Sequence, residues 1–172
     1  MENLILMGYM GCGKSTIGVK LSYKLHRTFI DTDKMIEQHA GKSISQIFAD
    51  EGEAAFREME TALLKELIQK KSYKNSIVSL GGGTPMRPEN AELIRRLGTV
   101  CYLKVSPATV YERLRGDQTR PLLQTENPLQ RIEEMLALRD PVYRECADVI
   151  IDCDGESAER VAAKIIEKTV EM

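Results

Sequence analysis

No apolar run in the 172-residue sequence approaches the ~20 residues that span a bilayer; the longest near the N-terminus is Leu4 to Met7. No basic stretch followed by an apolar one precedes it, so a cytoplasmic protein with no membrane partner is expected. The four cysteines, at positions 12, 101, 146 and 153, lack CxxC spacing and accompanying histidines. That argues against a disulfide framework and against a zinc site, and reduced thiols are expected. The two histidines, His26 and His39, lie among charged residues in helical patterns and read as surface positions. A formal net charge of −2 supplies no basic field to attract nucleic acid, although it leaves open a local arginine cluster in a cleft. No Pro/Gly-rich or repetitive stretch marks a tail or linker. With 42% hydrophobic and 29% charged residues, the composition is that of an ordinary globular chain. At 172 residues it is long enough for one core and short for two, so one domain over 1–172 is expected; a monomer is the expected assembly.

Short apolar runs alternate with amphipathic stretches, the pattern of a parallel sheet covered by helices. Strands are expected at Asn3 to Met7, Thr28 to Asp31, Ser76 to Leu80, Thr99 to Val105 and Asp148 to Asp152. Helices are expected at Lys14 to His26, Asp33 to Ala40, Ser43 to Lys71, Pro88 to Leu97, Pro107 to Arg115, Pro128 to Tyr143 and Ser157 to Val170. Ser43 and Ser157 suit N-caps, and Pro88, Pro107 and Pro128 suit first helical turns. Pro141 is expected to kink or end its helix. In open α/β sheets ligands sit beyond the carboxyl ends of the strands. The first three expected strands are followed there by Gly8 to Ser15, by Asp31 and Asp33, and by Gly81 to Gly83.

GYMGCGKS at 8–15 fits G-x-x-x-x-G-K-[ST] between a strand and a helix, the context a phosphate-binding P-loop requires. Backbone amides of Gly11, Cys12 and Gly13 can wrap phosphates at the helix N-terminus, and Lys14 can reach the β and γ phosphates. The Ser15 hydroxyl can ligate Mg²⁺, and Thr16 adds a phosphate contact. ATP or a close relative is therefore the expected nucleotide. Alternation along an extended Asp31-Thr32-Asp33 would send both carboxylates to one side, one to hold Mg²⁺ through water and one to act on a hydroxyl. An N-cap role for Asp33 is the plainer alternative. Arg57 and Glu60, three apart on a helix, can form an ion pair that fixes the guanidinium for a carboxylate, or can be an ordinary solvated pair. Three consecutive glycines, 81 to 83, give a ligand close access to backbone. The stretch from Arg113 to Arg120 reads as a loop that covers a kinase site or as a solvated connection, with Arg120 its candidate for the transferring phosphoryl group. Arg139 and Tyr143, at i and i+4, are ambiguous alone.

Taken in order, GYMGCGKSTIG, DTD, the FRxxE run, GGG, RPLL and the RxxxY run closely resemble shikimate kinase over nearly the whole chain. The resemblance implies a three-layer α/β/α P-loop kinase fold with a five-stranded parallel sheet in order 2-3-1-4-5. It also implies transfer of the ATP γ-phosphoryl group to the 3-hydroxyl of shikimate, on the route to chorismate and aromatic amino acids. By that similarity Asp33 binds the substrate hydroxyls as base, Arg57 and Arg139 clamp the carboxylate, and Gly82 with Gly81 and Gly83 lines the ring. Asp31 holds Mg²⁺ through water beside Ser15, Arg113 lies over adenine, and Arg120 reaches both substrates from a lid at about 113–126. The shikimate-binding helical region would span about 32–61. One stretch departs from the family: an adenine loop with arginine and proline is replaced by 151–157, IDCDGES, where backbone contacts to adenine are expected. Gluconate also carries a carboxylate and hydroxyls, so a gluconate kinase competes on chemistry alone, as does a nucleoside monophosphate kinase or a non-catalytic nucleotide-binding regulator.

Overall fold

The structure, a computed structural model, describes residues 2–115 and 125–170. Five parallel strands form one sheet: β1 (Asn3–Met7), β2 (Phe29–Asp31), β3 (Ile77–Ser79), β4 (Gly98–Lys104) and β5 (Val149–Asp152), in the expected order β2-β3-β1-β4-β5. β1 is buried along its whole length, as the middle strand of a sheet covered on both faces must be. The register decides where chemistry can gather. Ser79 pairs with Leu6 on one side and Asp31 on the other, so β2 and β3 end level with the penultimate residue of β1. The segments that follow them leave from the same edge of the sheet.

Among the described residues the helices are α1 (Lys14–Leu25), α2 (Thr32–Ala40), α3 (Ile44–Glu51), α4 (Glu53–Gln69), α5 (Pro88–Leu97), α6 (Pro107–Leu114), α7 (Pro128–Cys146) and α8 (Ala158–Val170). The expected caps are present: Ser43 Oγ accepts from Gln46 N at 3.1 Å and Ser157 Oγ from Arg160 N at 3.1 Å. Pro88, Pro107 and Pro128 each open a helix, where the missing N–H costs nothing.

Three expectations need correcting. The stretch from Ser43 to Lys71 is two helices, because Gly52 adopts φ 88° and its amide closes the end of α3 on Ile47 O and Phe48 O. Helix α7 does not end at Pro141 but runs on to Cys146. Contacts on both sides of the proline hold it: Asp140 Oδ1 accepts from Tyr102 on β4 at 2.7 Å, and the Tyr143 hydroxyl donates to Gly82 O at 2.5 Å. Third, Asp31-Thr32-Asp33 is not extended. The helix begins at Thr32, Asp31 caps it by accepting from Lys34 N at 3.2 Å, and Asp33 lies in the first turn.

β4 follows α5 with no intervening loop, and Gly98 makes that possible. A Cβ there would lie 2.1 Å from Asn3 O and 2.7 Å from Asn3 C, both backbone atoms of the strand that feeds the P-loop. Gly98→Ala is expected to cost about 1–3 kcal/mol by forcing β1 and β4 apart. Urea unfolding reads this, and an unchanged midpoint would mean that the strands yield without cost.

Candidate active site

The strand-end loops build the site. Gly11 and Gly13 hold φ 75° and 93°, conformations that side chains disfavour, and so wrap the loop between β1 and α1. Lys14 Nζ reaches back across that loop to Gly8 O at 2.7 Å and Tyr9 O at 3.2 Å. Cys12 is buried beneath it, its sulfur 3.7 Å from the amine. Two clefts meet at Gly11, Gly13 and Thr16. One, of about 300 Å³, is lined by Lys14, Ser15, Asp31, Asp33, Gly81 and Gly82. The other, of about 370 Å³, is lined by Cys12, Arg113, Leu114, Cys153 and Glu156. The P-loop thus borders both.

Asp33 is the electrostatic oddity of the first cleft. Its carboxyl is pushed from an ordinary 3.8 up to about 6, first by burial and then by the negative charges of Asp31 and Glu60; Lys14 works in the other direction. Its Oδ1 is buried without a hydrogen-bond partner. A buried carboxylate oxygen left unpaired is costly, and a hydroxyl donor in the cleft would relieve it. The two carboxylates of the DTD run do reach one cleft, though by a cap and a helical turn rather than by strand alternation.

Arg57 Nη1 lies 2.6 Å from Glu60 Oε1, and Nη2 lies 3.3 Å from Glu53 Oε1. The pair is not a solvated face, because the Glu60 side chain is 2% exposed and that of Arg57 is 25% exposed. Burial opposes the charge on Arg57, but hydrogen bonds and charge from Glu60 and Glu53 outweigh it. A guanidinium so held offers its remaining donors in a fixed direction.

The three glycines of 81–83 have a use that is not conformational, since none has positive φ. A Cβ on Gly81 would lie 2.8 Å from Asp33 Oδ1, on Gly82 3.3 Å from Arg139 Nη1, and on Gly83 2.8 Å from both terminal nitrogens of Arg57. Each glycine therefore makes room for one of three charged side chains drawn from α2, α7 and α4. Arg139 also stacks over the ring of Tyr9, 5.5 Å from its centroid. The structure thus brings Asp33, Arg57 and Arg139 around one short loop.

Arg113, on α6, bonds Gly11 O through Nη1 at 2.9 Å and lies in the second cleft. In the atypical 151–157 segment the acidic side chains have partners of their own, Asp152 Oδ1 accepting from Asp154 N at 3.1 Å. Asp154 accepts from Ser106 N at 3.0 Å, while Glu156 pairs with Lys164 at 2.6 Å and Arg160 at 3.1 Å. Arg120 and most of the expected lid lie outside the described residues. His26 and His39 are exposed, and all four cysteines are free and buried. Sequence reasoning did not find Thr84 and Asn90, buried polar residues that join Glu60 to α5. Only contacts between distant segments mark them out.

A family model described as shikimate kinase matches residues 10–170. A shikimate kinase of Thioalkalivibrio sulfidiphilus is 47% identical over 164 residues, which is 95% of this chain and 85% of that one. Among solved structures, a shikimate kinase from Acinetobacter baumannii in complex with shikimate superposes with a TM-score of 0.92 at 38% identity, covering 99% of this chain and 94% of that one. A shikimate kinase from Bacteroides thetaiotaomicron gives 0.87 at 34% identity, covering 99% of both.

An Asp whose folded pKa is raised to about 6 binds its proton more tightly folded than unfolded, so its ionisation destabilises the native state as pH rises from about 4 through 6. Asp33→Asn should therefore be more stable than the parent at pH 8, by about 1–2 kcal/mol, with the gain fading below pH 4. Thermal unfolding across pH tests this; a constant difference would show that the buried charge is not its source.

Proposed function

The chain belongs to the shikimate kinase family and is an ATP:shikimate 3-phosphotransferase, and from that premise we propose how its residues divide the reaction. The observation that carries the division is the convergence of Asp33, Arg57 and Arg139 on the glycine loop at 81–83, one cleft away from Arg113 and beside Lys14. Shikimate presents one carboxylate and neighbouring hydroxyls. Arg57 and Arg139 take the carboxylate, Gly81 to Gly83 let the ring lie against backbone, and the unpaired Asp33 Oδ1 accepts from the hydroxyl to be phosphorylated.

ATP lies along the P-loop, with its phosphates on the backbone of Gly11, Cys12 and Gly13, on Lys14 and on Thr16. Its base enters the second cleft, where Arg113 and the backbone of the 151–157 segment meet it. Ser15 and Asp31 fit Mg²⁺, a hard cation that takes oxygen donors and keeps much of its shell as water and phosphate. Among the described residues no three His, Cys, Asp or Glu side chains converge on a metal position, so the protein supplies part of that shell only. When bound, the ion draws charge off the β and γ phosphates. The shikimate 3-oxygen bonds to the γ-phosphorus as the bond from that phosphorus to the bridging oxygen breaks. ADP leaves, and the hydroxyl proton passes to Asp33. Lys14 and Arg120 neutralise charge on the transferring group. In a loose transition state the main contribution of Asp33 is orientation, with proton capture following.

The relatives named above are shikimate kinases and do not favour a gluconate kinase, and a regulator without activity would have no use for the acceptor-side groups. One domain over 1–172, working as a monomer in the cytoplasm without nucleic acid, completes the reading. No helix among the described residues is long and apolar enough to cross a membrane.

ADP release with ATP and Mg²⁺ should depend on shikimate and not on gluconate; turnover with gluconate alone would end the reading. Asp33→Asn should lower turnover by roughly 10²-fold or more while ATP affinity persists, and loss of ATP binding would place Asp33 in the donor half. Since Asp33 accepts a proton only when ionised, kcat/KM should fall as pH drops through about 6. A flat profile between pH 7 and 5 would remove it as the accepting group.

A further inference from the structure

Thr84 follows the glycine loop and is buried at 2% exposure. Its amide donates to Gly81 O at 3.1 Å, closing the turn, and its carbonyl accepts from Asn90 Nδ2 at 3.0 Å. Asn90 is itself fully buried in α5, with its Oδ1 2.7 Å from Thr61 Oγ1 on α4. The Thr84 hydroxyl donates to Glu60 Oε2, while Arg57 holds Glu60 Oε1. The side-chain space missing at Gly81 lies 2.8 Å from Asp33 Oδ1, 3.1 Å from Thr84 Oγ1 and 3.2 Å from Glu60 Oε2, so three oxygens surround one point.

A threonine hydroxyl has one proton to give, and two carboxylates lie around it. Given to Glu60, that proton fixes the carboxylate at both oxygens and leaves Asp33 Oδ1 without a protein donor. We propose that Thr84 is a positioning residue for shikimate: its hydroxyl pins Glu60, Glu60 pins the Arg57 guanidinium, and Asp33 is thereby kept for the substrate hydroxyl. The same residue sets the glycine turn, so loop and arginine are held by one group. Lys14, Glu37, Asp31 and Arg139 also surround this centre, but among the described residues no hydrogen bond links them to Glu60. The proposal rests on Arg57 and Asp33 serving the acceptor.

Thr84→Val removes the hydroxyl at nearly constant volume. The KM for shikimate should rise roughly tenfold, the scale of one lost hydrogen bond to a charged group, with the KM for ATP unchanged and kcat within a few-fold. Thr84→Ser should restore the parent KM. The Arg57 Nε–H resonance should exchange faster with water in Thr84→Val than in the parent, measured on the free protein. An unchanged Arg57 signal overturns the proposal whatever the kinetics, as does an unchanged shikimate KM or a failure of serine to rescue. If Thr84→Val does not fold, Thr84→Ala carries the same measurements. Because the exchange measurement uses no substrate, a protein inactive toward shikimate that still shows the Arg57 change would refute the acceptor assignment and leave the Thr84 linkage standing.

Discussion

Three positions without side chains hold this active site together. Asp33, Arg57 and Arg139 come from different helices, and each packs into the volume that a methyl group at Gly81, Gly83 or Gly82 would occupy. The constraint is steric, and it explains why the loop needs three glycines when its backbone angles need none. The sheet supplies the other half of the constraint. Because Leu6, Ser79 and Asp31 stand level in adjacent parallel strands, the glycine loop, the phosphate loop and the cap of α2 emerge side by side.

Once these groups are crowded together, their charges must be managed. Asp31, Asp33 and Glu60 repel one another, and Lys14, Arg57 and Arg139 surround them. Glu60 has two donors and is settled; Asp33 Oδ1 has none and is held near its ionisation point. The native state thus keeps one group uncomfortable at neutral pH, a cost against a folding free energy of only about 5–15 kcal/mol. Functional sites commonly carry such strain, and here it sits on a buried carboxylate oxygen that no hydrogen-bond donor among the described residues meets.

What could be read from the sequence follows from how local each signal is. The phosphate loop, the serine caps at 43 and 157 and the proline starts depend on a few neighbouring residues and were all legible. The sheet order and the grouping of Asp33, Arg57, Gly82 and Arg139 came through family resemblance, since no single motif after the P-loop specifies them. The errors arose where distant contacts overrule local preference. Pro141 is carried inside α7 because Tyr102 and Gly82 grip the helix on either side. An extended Asp31-Thr32-Asp33, with Asp33 as the alternative cap, is the local expectation because nothing local shows that Asp31 takes the cap. Gly52 falls inside the expected helix from Ser43 to Lys71, and a lone glycine is no sure stop; its amide closing on Ile47 O and Phe48 O makes it one. Thr84 and Asn90 have no pattern at all; their meaning lies in partners 24 and 29 residues away, Glu60 and Thr61.

The thiols of the second cleft bear on chemical durability. Cys12 and Cys153 both line it, and burial pushes Cys153 up to about 12, with a smaller contribution from the charge of Cys12. Oxidants and alkylating agents attack the thiolate. At the pH of a cell Cys153 presents almost none, and both sulfurs are 1% exposed as residues. This cleft is built partly from sulfur, and burial shelters both thiols from reagents in solution.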